Sequence, residues 1–562
     1  MPQKSRWSVD IPITSIPSLI LGNPHDTLPD TPAYFDTDRP ETLHLTWREY
    51  ALWCKRIAAG LQAAGLRPND RVLVYSGNNI FFPVVFMAVI MAGGIITTAN
   101  PAFVARELAY QLKDSQPRFL LIAEASINSA VEAARLANYD SRKIFIFDDA
   151  PLEGHGRDAG GIRHWGQLIA SVDNGKDFRW KEISTLEEAR QTVALLYSSG
   201  TTGVPKGVEL THYGLVANCV QLNHLYTLNP VQHPHRLLAM LPMYHGLGLL
   251  TFATMSPYRR IPTYIMKRFS LVPLFKNIER FKITELMLVP PILIAMAKNP
   301  EAKQGKYDLS SVRKVAVGAA PLSREMCEEL EKLWPNGQVN VKQGWGMTEL
   351  PVSLLNWDEQ EISKTQAVGE PIANCEVKIM NDEGTSEMPL GQPGELWCKT
   401  PTMMKGYWGK PEETAKVVTS DGWFKTGDIA FADGNGKYVI IDRKKELIKV
   451  KGNQVAPAEL EGLLLEHPQV QDAAVIGIKF GEDEQPMAYI VRKPGCSVSA
   501  QEVLKHMAER TAKIKHITGG IVFCNMIPKN PSGKILRRLL REQADADSKR
   551  AEAQASSNSA RL

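Results

Sequence analysis

Between Arg71 and Gly318 the sequence returns seven times to a short apolar run: Arg71–Tyr75, Phe119–Ile122, Lys143–Phe147, Val193–Tyr197, Arg236–Leu241, Thr284–Val289 and Lys314–Gly318. The stretches between them have helical periodicity, and this alternation predicts an α/β protein whose parallel sheets are covered by helices. Thr46-Trp47-Arg48-Glu49 forms a capping box, opening an amphipathic helix that ends near Ala64. Around 391–404 the pattern changes to shorter strands and turns, which predicts a small β subdomain. A candidate boundary lies at Ile441-Asp442-Arg443-Lys444-Lys445, followed by a compact α+β unit with helices near Ala458–Leu465 and Ala500–Ala512 and strands at Ala473–Ile478, Ala488–Arg492 and Ile521–Met526. The expected division is therefore an extension at 1–30, a large body over 31–441, a small domain over 442–542 and a flexible tail over 543–562.

Lys and Arg number 65 against 61 Asp and Glu, a net charge of +4. That balance does not favour a nucleic-acid or membrane surface, so any anion binding is local. The seven cysteines are scattered and never in C-x-x-C spacing, reading as reduced structural thiols and not as a disulfide framework or a zinc site. Ile80–Ile96 is the longest apolar run, but Pro83 and Gly93-Gly94 interrupt it and predict a buried helix in place of a membrane span. Met1–Pro12 lacks the apolar core of a secretory signal. Ala560-Arg561-Leu562 matches a relaxed form of the Ser-Lys-Leu peroxisomal address, making an import receptor the expected partner and the peroxisome the expected compartment, with cytoplasm as the alternative.

The run Tyr197-Ser198-Ser199-Gly200-Thr201-Thr202-Gly203-Val204-Pro205-Lys206-Gly207 follows an apolar strand. Glycines there expose backbone N–H groups, hydroxyls add donors, and Lys206 brings a mobile positive charge, a composition suited to gripping a nucleotide triphosphate. It is not the Walker pattern, because Pro205 precedes the lysine. Taken alone it is equally a solvated Ser/Gly loop.

Other segments carry similar ambiguity one at a time. Gln343-Gly344-Trp345-Gly346-Met347-Thr348-Glu349 offers close backbone approach, an indole face, a hydroxyl and a carboxylate; Thr426-Gly427-Asp428 places an acid in a tight turn; Asp442-Arg443 opens the boundary; Pro531-Ser532-Gly533-Lys534 presents a lysine at a loop-to-helix junction. Each reads individually as a turn residue or a solvated charge. Their joint order removes that ambiguity.

Over roughly 30–542 the sequence resembles the adenylate-forming acyl-CoA ligase superfamily, through YSSGTTGVPKG, LPMYHGLGL, GAAPL, QGWGMTE, GEL, KTGD, DRKKELIKVKGNQVAPAE and PSGK in that order. The resemblance implies a large body of two stacked α/β sheets plus a β-barrel-like subdomain, followed by a small mobile α+β domain. It also implies ATP, Mg2+ and coenzyme A, and a two-step reaction: a carboxylic acid and ATP give acyl-adenylate and pyrophosphate, then the CoA thiol displaces AMP. Both steps call for charge neutralisation and positioning more than for a protein nucleophile.

By the same resemblance, Ser198, Ser199, Gly200, Thr201, Thr202 and Lys206 hold the ATP phosphates, Thr348 touches the α-phosphate and Glu349 ligates Mg2+. Trp345 stacks on the adenine beside Gly318, Ala319, Ala320, Gln343 and Gly344, while Asp428 accepts the ribose hydroxyls with Arg443 nearby. Lys534 serves the first step. For the second, the small domain rotates about Lys445 and brings Lys449, Lys451 and Gly452 to the thioester-forming face; Lys267-Arg268 is a candidate contact for CoA phosphate. His245 stands between the nucleotide and acyl sites, although a lone His beside apolar residues also reads as a core histidine. Gly246, Leu247, Gly318, Gly344, Gly346 and Met347 are expected around the acid.

Trp345 stands where the family usually has Tyr, Gly214 where Asn is common and Asn453 where an aromatic is common. After His245 the run Gly246-Leu247-Gly248 lacks the aromatic or hydroxyl group that 4-coumarate:CoA ligases place there. Two glycines predict a wide pocket and Leu247 an apolar one, favouring medium-chain fatty or aryl acids over hydroxycinnamates. No carboxylate occurs between Leu237 and Phe252 to balance a buried ammonium, which argues against amino-acid substrates. The alternatives are a 4-coumarate-type ligase, a luciferase-like adenylating oxygenase and an inactive nucleotide-binding scaffold, the last disfavoured by Lys206, Glu349 and Lys534.

Overall fold

The computed structural model describes residues 2–154, 156–198, 205–228, 233–450, 453–480, 483–530 and 533–559. Two seven-stranded sheets form the large body. The first has the order Lys206–Thr211, Thr192–Ser198, Ile95–Ala99, Arg71–Tyr75, Phe119–Ile122, Ile144–Ile146, Arg163–His164, and the second the order Val341–Gln343, Lys314–Val317, Glu285–Leu288, Leu237–Ala239, Thr263–Ile265, Pro32–Asp36, His44–Thr46. Each is parallel apart from one edge: Lys206–Thr211 runs antiparallel to Thr192–Ser198, and His44–Thr46 antiparallel to Pro32–Asp36.

The helix Phe82–Met91 explains the long apolar run. All ten of its residues are buried, since it lies inside the body and has no solvent face to furnish with polar groups. The predicted capping box exists: Thr46 Oγ1 accepts from Glu49 N at 3.2 Å and Thr46 N donates to Glu49 Oε2 at 2.8 Å, starting the helix Trp47–Ala63.

The small β subdomain is a five-stranded antiparallel sheet in the order Gln3–Lys4, Glu376–Met380, Gly394–Lys399, Phe424–Ala432, Tyr438–Arg443. Its first strand comes from the segment expected to be an extension. Arg6 donates to both carboxylate oxygens of Glu370, and Tyr438 OH donates to Gln3 Oε1 at 2.7 Å, so side chains span the two edges of the sheet. Among the described residues no ladder closes it into a full barrel.

Beyond Arg443 the chain forms the hairpin Ile448–Val450 with Asn453–Val455, then a three-stranded sheet of Val470–Phe480, Asp483–Arg492 and Ile521–Phe523 with helices Pro457–Glu466 and Ala500–Ala508. This unit has its own core around Leu460, Leu464, Val475 and Ile490, as an independent domain requires. A buried ion pair supports it: Arg537 donates to Glu461 at 2.8 Å, and Val475 N donates to the same carboxylate at 2.8 Å. The last helix, Arg537–Ser559, runs through most of the segment where composition predicts a flexible tail. Ala560-Arg561-Leu562 lies outside the described residues. No described helix is long and apolar enough to cross a membrane, and the seven cysteines are free.

Candidate active site

The strand Thr192–Ser198 delivers Ser198 to the carboxyl edge of the first sheet, where its hydroxyl donates to Glu349 Oε1 at 2.8 Å. Glu349 belongs to a two-residue turn, Thr348-Glu349, between the paired residues Met347 and Leu350. It is 3% exposed, and Tyr407 OH donates to the same oxygen at 2.9 Å. Two hydroxyl donors thus hold a buried carboxylate that has no ion-pair partner among the described residues. The turn needs Gly346: a Cβ there would come within 2.5 Å of Val352 O, so only glycine permits the strands to close this tightly.

Ser199, Gly200, Thr201 and Thr202 lie outside the described residues, but both flanks of their loop are anchored to the helix Ala105–Ser115. Tyr197 OH donates to Asp114 Oδ2 at 2.7 Å, and Tyr110 OH to Pro205 O at 2.9 Å. Lys206 is buried, pairs with Glu413 and lies 5.0 Å from the centre of the Tyr407 ring. Hydrogen bonds from Lys206 and Lys416 hold the Glu413 carboxyl down at about 2. Neither Tyr407 nor Glu413 is recognisable in the sequence. Pro411 followed by two acids signals a helix N-terminus, observed at Pro411–Val417, yet nothing local announces a partner some two hundred residues away.

Trp345, Asp428 and Arg443 form a second cluster. Trp345 Nε1 donates to Asp428 Oδ2 at 2.8 Å, Arg443 Nε lies 3.5 Å from Asp428 Oδ1, and Asp428 and Arg443 are cross-strand partners. Burial pushes the Asp428 carboxyl up, against the pull of Arg443 and the indole N–H. Gln343 has a different occupation from the one expected. Its amide donates to Leu322 O at 2.9 Å and accepts from Leu322 N at 3.1 Å, so it braces the Ala319-Ala320 turn, where Ala319 has φ +75°.

Lys534 reaches this cluster from the small domain. Burial lowers its ammonium to about 8, with Arg443 and Lys445 adding to the effect and Glu446 and Asp428 opposing it, which places all four within electrostatic reach. Its backbone N–H donates to Asn530 Oδ1 at 2.8 Å, and Gly533 (φ +84°) seats the turn on the large body, where a Cβ would come within 2.6 Å of Pro291. Lys449 is not brought in: it is exposed on the hairpin, its N–H donating to Glu484 Oε2 at 2.8 Å. Lys451 and Gly452 lie outside the described residues. Lys267 is engaged by Asp149 at 2.6 Å and Asp36 at 3.3 Å, which leaves Arg268 as the exposed member of that pair.

Next to this cluster a pocket with about 100 Å3 of room runs into the body between the second sheet and the helical run that follows His245. Leu247, Gly318 and Gly344 line it as expected, whereas His245, Gly246, Gly346 and Met347 do not. Of the two glycines after His245, Gly248 is demanded by packing, whereas Gly246 has room for a side chain. A Cβ on Gly248 would strike Pro242 O at 2.3 Å, and one on Gly246 would touch Leu196 at 3.5 Å. His245 caps the helix Gly246–Leu250; its Nε2 is buried without a partner, and burial lowers the ring to about 4, so the imidazole is neutral at pH 7.

The expectation of a wholly apolar pocket fails. Arg259, Glu285, Lys314 and Lys342 all line the cavity. Glu285 also supplies the carboxylate missing from 237–252, because the strand Glu285–Leu288 sits directly between Lys314–Val317 and Leu237–Ala239.

The residues match an AMP-binding enzyme family over 25–408 and the C-terminal domain of AMP-binding enzymes over 459–534. The chain belongs to this family and is an acid–CoA ligase. It is 37% identical over 502 residues to 4-coumarate--CoA ligase-like 2 of Arabidopsis thaliana, covering 88% of this chain and 86% of that one. It is 36% identical over 521 residues to Peroxisomal OPC-8:0-CoA ligase 1 of the same plant, covering 92% and 91%. A crystal structure of ATP-bound MatB from Rhodopseudomonas palustris superposes with a TM-score of 0.78 at 26% identity, covering 94% of this chain and 98% of that one.

Proposed function

We propose that this ligase joins its acid to ATP as an acyl-adenylate and then passes the acyl group to coenzyme A, using two arrangements of the small domain about 442–445. What best supports the first arrangement is the position of Lys534, half-buried within electrostatic reach of Asp428, Arg443 and Lys445, while Lys449 stands exposed. In that arrangement the Lys534 ammonium faces both the incoming carboxylate and the α-phosphate. A carboxylate oxygen bonds to the α-phosphorus as the bond to pyrophosphate breaks, and the lysine offsets the charge gathering there. Lys206 leaves Glu413 for the departing phosphates, and Thr348 and the 199–204 loop supply donors.

A magnesium ion fits beside Glu349, a hard carboxylate oriented by Ser198 and Tyr407. Among the described residues no group of three acidic, His or Cys side chains forms a cage, which suits an ion bound chiefly by one carboxylate and substrate phosphates. It would screen the β- and γ-phosphate charge. After rotation, Lys449 and the 451–452 segment replace Lys534, and the CoA sulfur attacks the adenylate carbonyl, releasing AMP. His245, neutral and buried, separates the nucleotide from the cavity.

The substrate we propose is a medium-chain fatty or aryl acid, and the compartment the peroxisome, through Ala560-Arg561-Leu562; a peroxisomal relative supports the latter. CoA-dependent AMP release across fatty, arylalkanoic and hydroxycinnamic acids tests the substrate. Turnover of 4-coumarate equal to or above that of hexanoate and phenylacetate would sink that assignment. Redirection of a fluorescent fusion to the cytosol when the tripeptide is removed tests the compartment.

A further inference from the structure

The far end of the acyl cavity has a construction that an apolar chain terminus would leave unused. Leu247, Thr251, Met255 and Arg259 recur every fourth residue and all line the cavity, so one face of the continuous helical run 246–258 and its C-cap forms a wall of it. At 1.5 Å per residue, Arg259 lies up to ~18 Å beyond Leu247, less where the wall is wider. That widening is at Thr251–Met255, which winds as a π-helix, a rare turn that recurs at functional sites.

On this wall one buried hydroxyl lacks a partner and one half-buried cation has donors to spare. The Thr251 side chain is 7% exposed and its Oγ1 makes no hydrogen bond. Arg259 has 10% of its side chain exposed; its guanidinium stacks 3.3 Å from the Tyr226 ring centre, makes no hydrogen bond among the described residues, and meets its nearest carboxylate, Glu285, only at 3.9 Å. Glu285 is meanwhile engaged by His235. Lys314 is committed to Glu359, and Lys342 donates to Asp358 O at 2.9 Å and Glu359 O at 2.6 Å. With Glu285 and Glu359 set against Arg259, Lys314 and Lys342, the far end keeps one surplus positive charge and unused donors on Arg259. The spare donors of this guanidinium favour a ligand oxygen.

We propose that the far end of the cavity receives a hydrogen-bond-accepting oxygen at the distal terminus of the acid, a carbonyl or a second carboxylate, bound by the Arg259 guanidinium. This rests on the ligase reading above and narrows its substrate to long acids oxygenated at the end remote from the reacting carboxylate.

The test is CoA-dependent AMP release with matched sets at three lengths: octanoate, decanoate and dodecanoate, each against the dicarboxylic acid of equal length and against the keto acid with its carbonyl next to the terminal carbon. At one length at least, an oxygenated acid should exceed the plain acid in kcat/KM by about tenfold or more, mostly through KM. A preference for the dicarboxylic acid identifies a carboxylate, and one for the keto acid a carbonyl. Arg259→Met should erase the preference, bringing kcat/KM for the oxygenated acid to that of the plain acid of equal length, and Arg259→Lys should keep part of it. The assignment is overturned if plain acids are preferred at every length, or if Arg259→Met slows plain and oxygenated acids alike. Plain and oxygenated acids giving equal AMP release defeats the far-end assignment alone; absence of both AMP release and ATP–pyrophosphate exchange with every acid takes the ligase reading down with it.

Discussion

At the nucleotide end of the site the charged side chains are already occupied: Lys206 by Glu413, Asp428 by Trp345 and Arg443, Glu349 by two hydroxyls. At the far end of the cavity, Arg259 has no hydrogen bond and Thr251 an idle hydroxyl. The first design exchanges partners when its ligand arrives, so the free protein never buries an isolated charge. The second stands open and relies on the cavity wall and Tyr226 to tolerate a cation until something fills it. The nucleotide end should therefore respond to mutation through rates and ATP affinity, and the far end through choice of acid.

The largest effect expected at the nucleotide end is from Lys534→Ala, which should cut adenylate formation by about 10^2–10^3-fold, measured as ATP–pyrophosphate exchange, and spare thioester formation from supplied acyl-adenylate. Lys449→Ala should do the reverse. Equal loss of both half-reactions in both variants would end the two-arrangement account. Next is a pH effect: the Lys534 ammonium, lowered to about 8, is the form that bridges anions, so kcat/KM for ATP in the exchange reaction should fall up to about tenfold per unit as pH rises above 8. Lys534→Arg should push that limb upward, and an unmoved limb would assign it to another group. Trp345→Phe keeps an aromatic face but loses the bond to Asp428, worth about 1 kcal/mol, so ATP KM should rise about fivefold. A rise matched by an equal rise in acid KM would mean that the indole supports the fold and not the nucleoside. Smallest is Glu413→Gln, which frees Lys206 from its competitor and should lower ATP KM by about threefold; a higher KM would show the glutamate positioning the lysine.

The two ends also differ in how readily a sequence discloses them. The nucleotide end announces itself because its groups lie in short Gly-rich turns whose composition carries the chemistry, as in Gly346-Met347-Thr348-Glu349 and Thr426-Gly427-Asp428. The far end gives no such notice. Lys314 opens a strand and reads as a solvated terminus, Glu285 does the same, and Arg259 follows an apolar helix as its ordinary basic C-terminal residue; only the sheet order brings them to one cavity. The seven strands read from apolar runs were placed within a residue or two at each end, whereas the parallel strands Ile95–Ala99, Thr263–Ile265 and Pro32–Asp36 went unread. The edge strand Lys206–Thr211 was hidden behind the phosphate loop, and Gly248 resembled a pocket-widening residue because the carbonyl of Pro242 that it accommodates is a tertiary neighbour.

The strand Gln3–Lys4 sets an order of assembly. Tyr438 and Gln3, joined by a hydrogen bond, stand 435 positions apart, and Arg6 must find Glu370 across 364. A chain emerging from the ribosome therefore makes its first residues hundreds of positions before their sheet exists, and the five-stranded sheet cannot be completed until nearly four-fifths of the polypeptide has been synthesised. Contacts of such separation slow folding, so the five-stranded sheet is among the last parts of the molecule to consolidate.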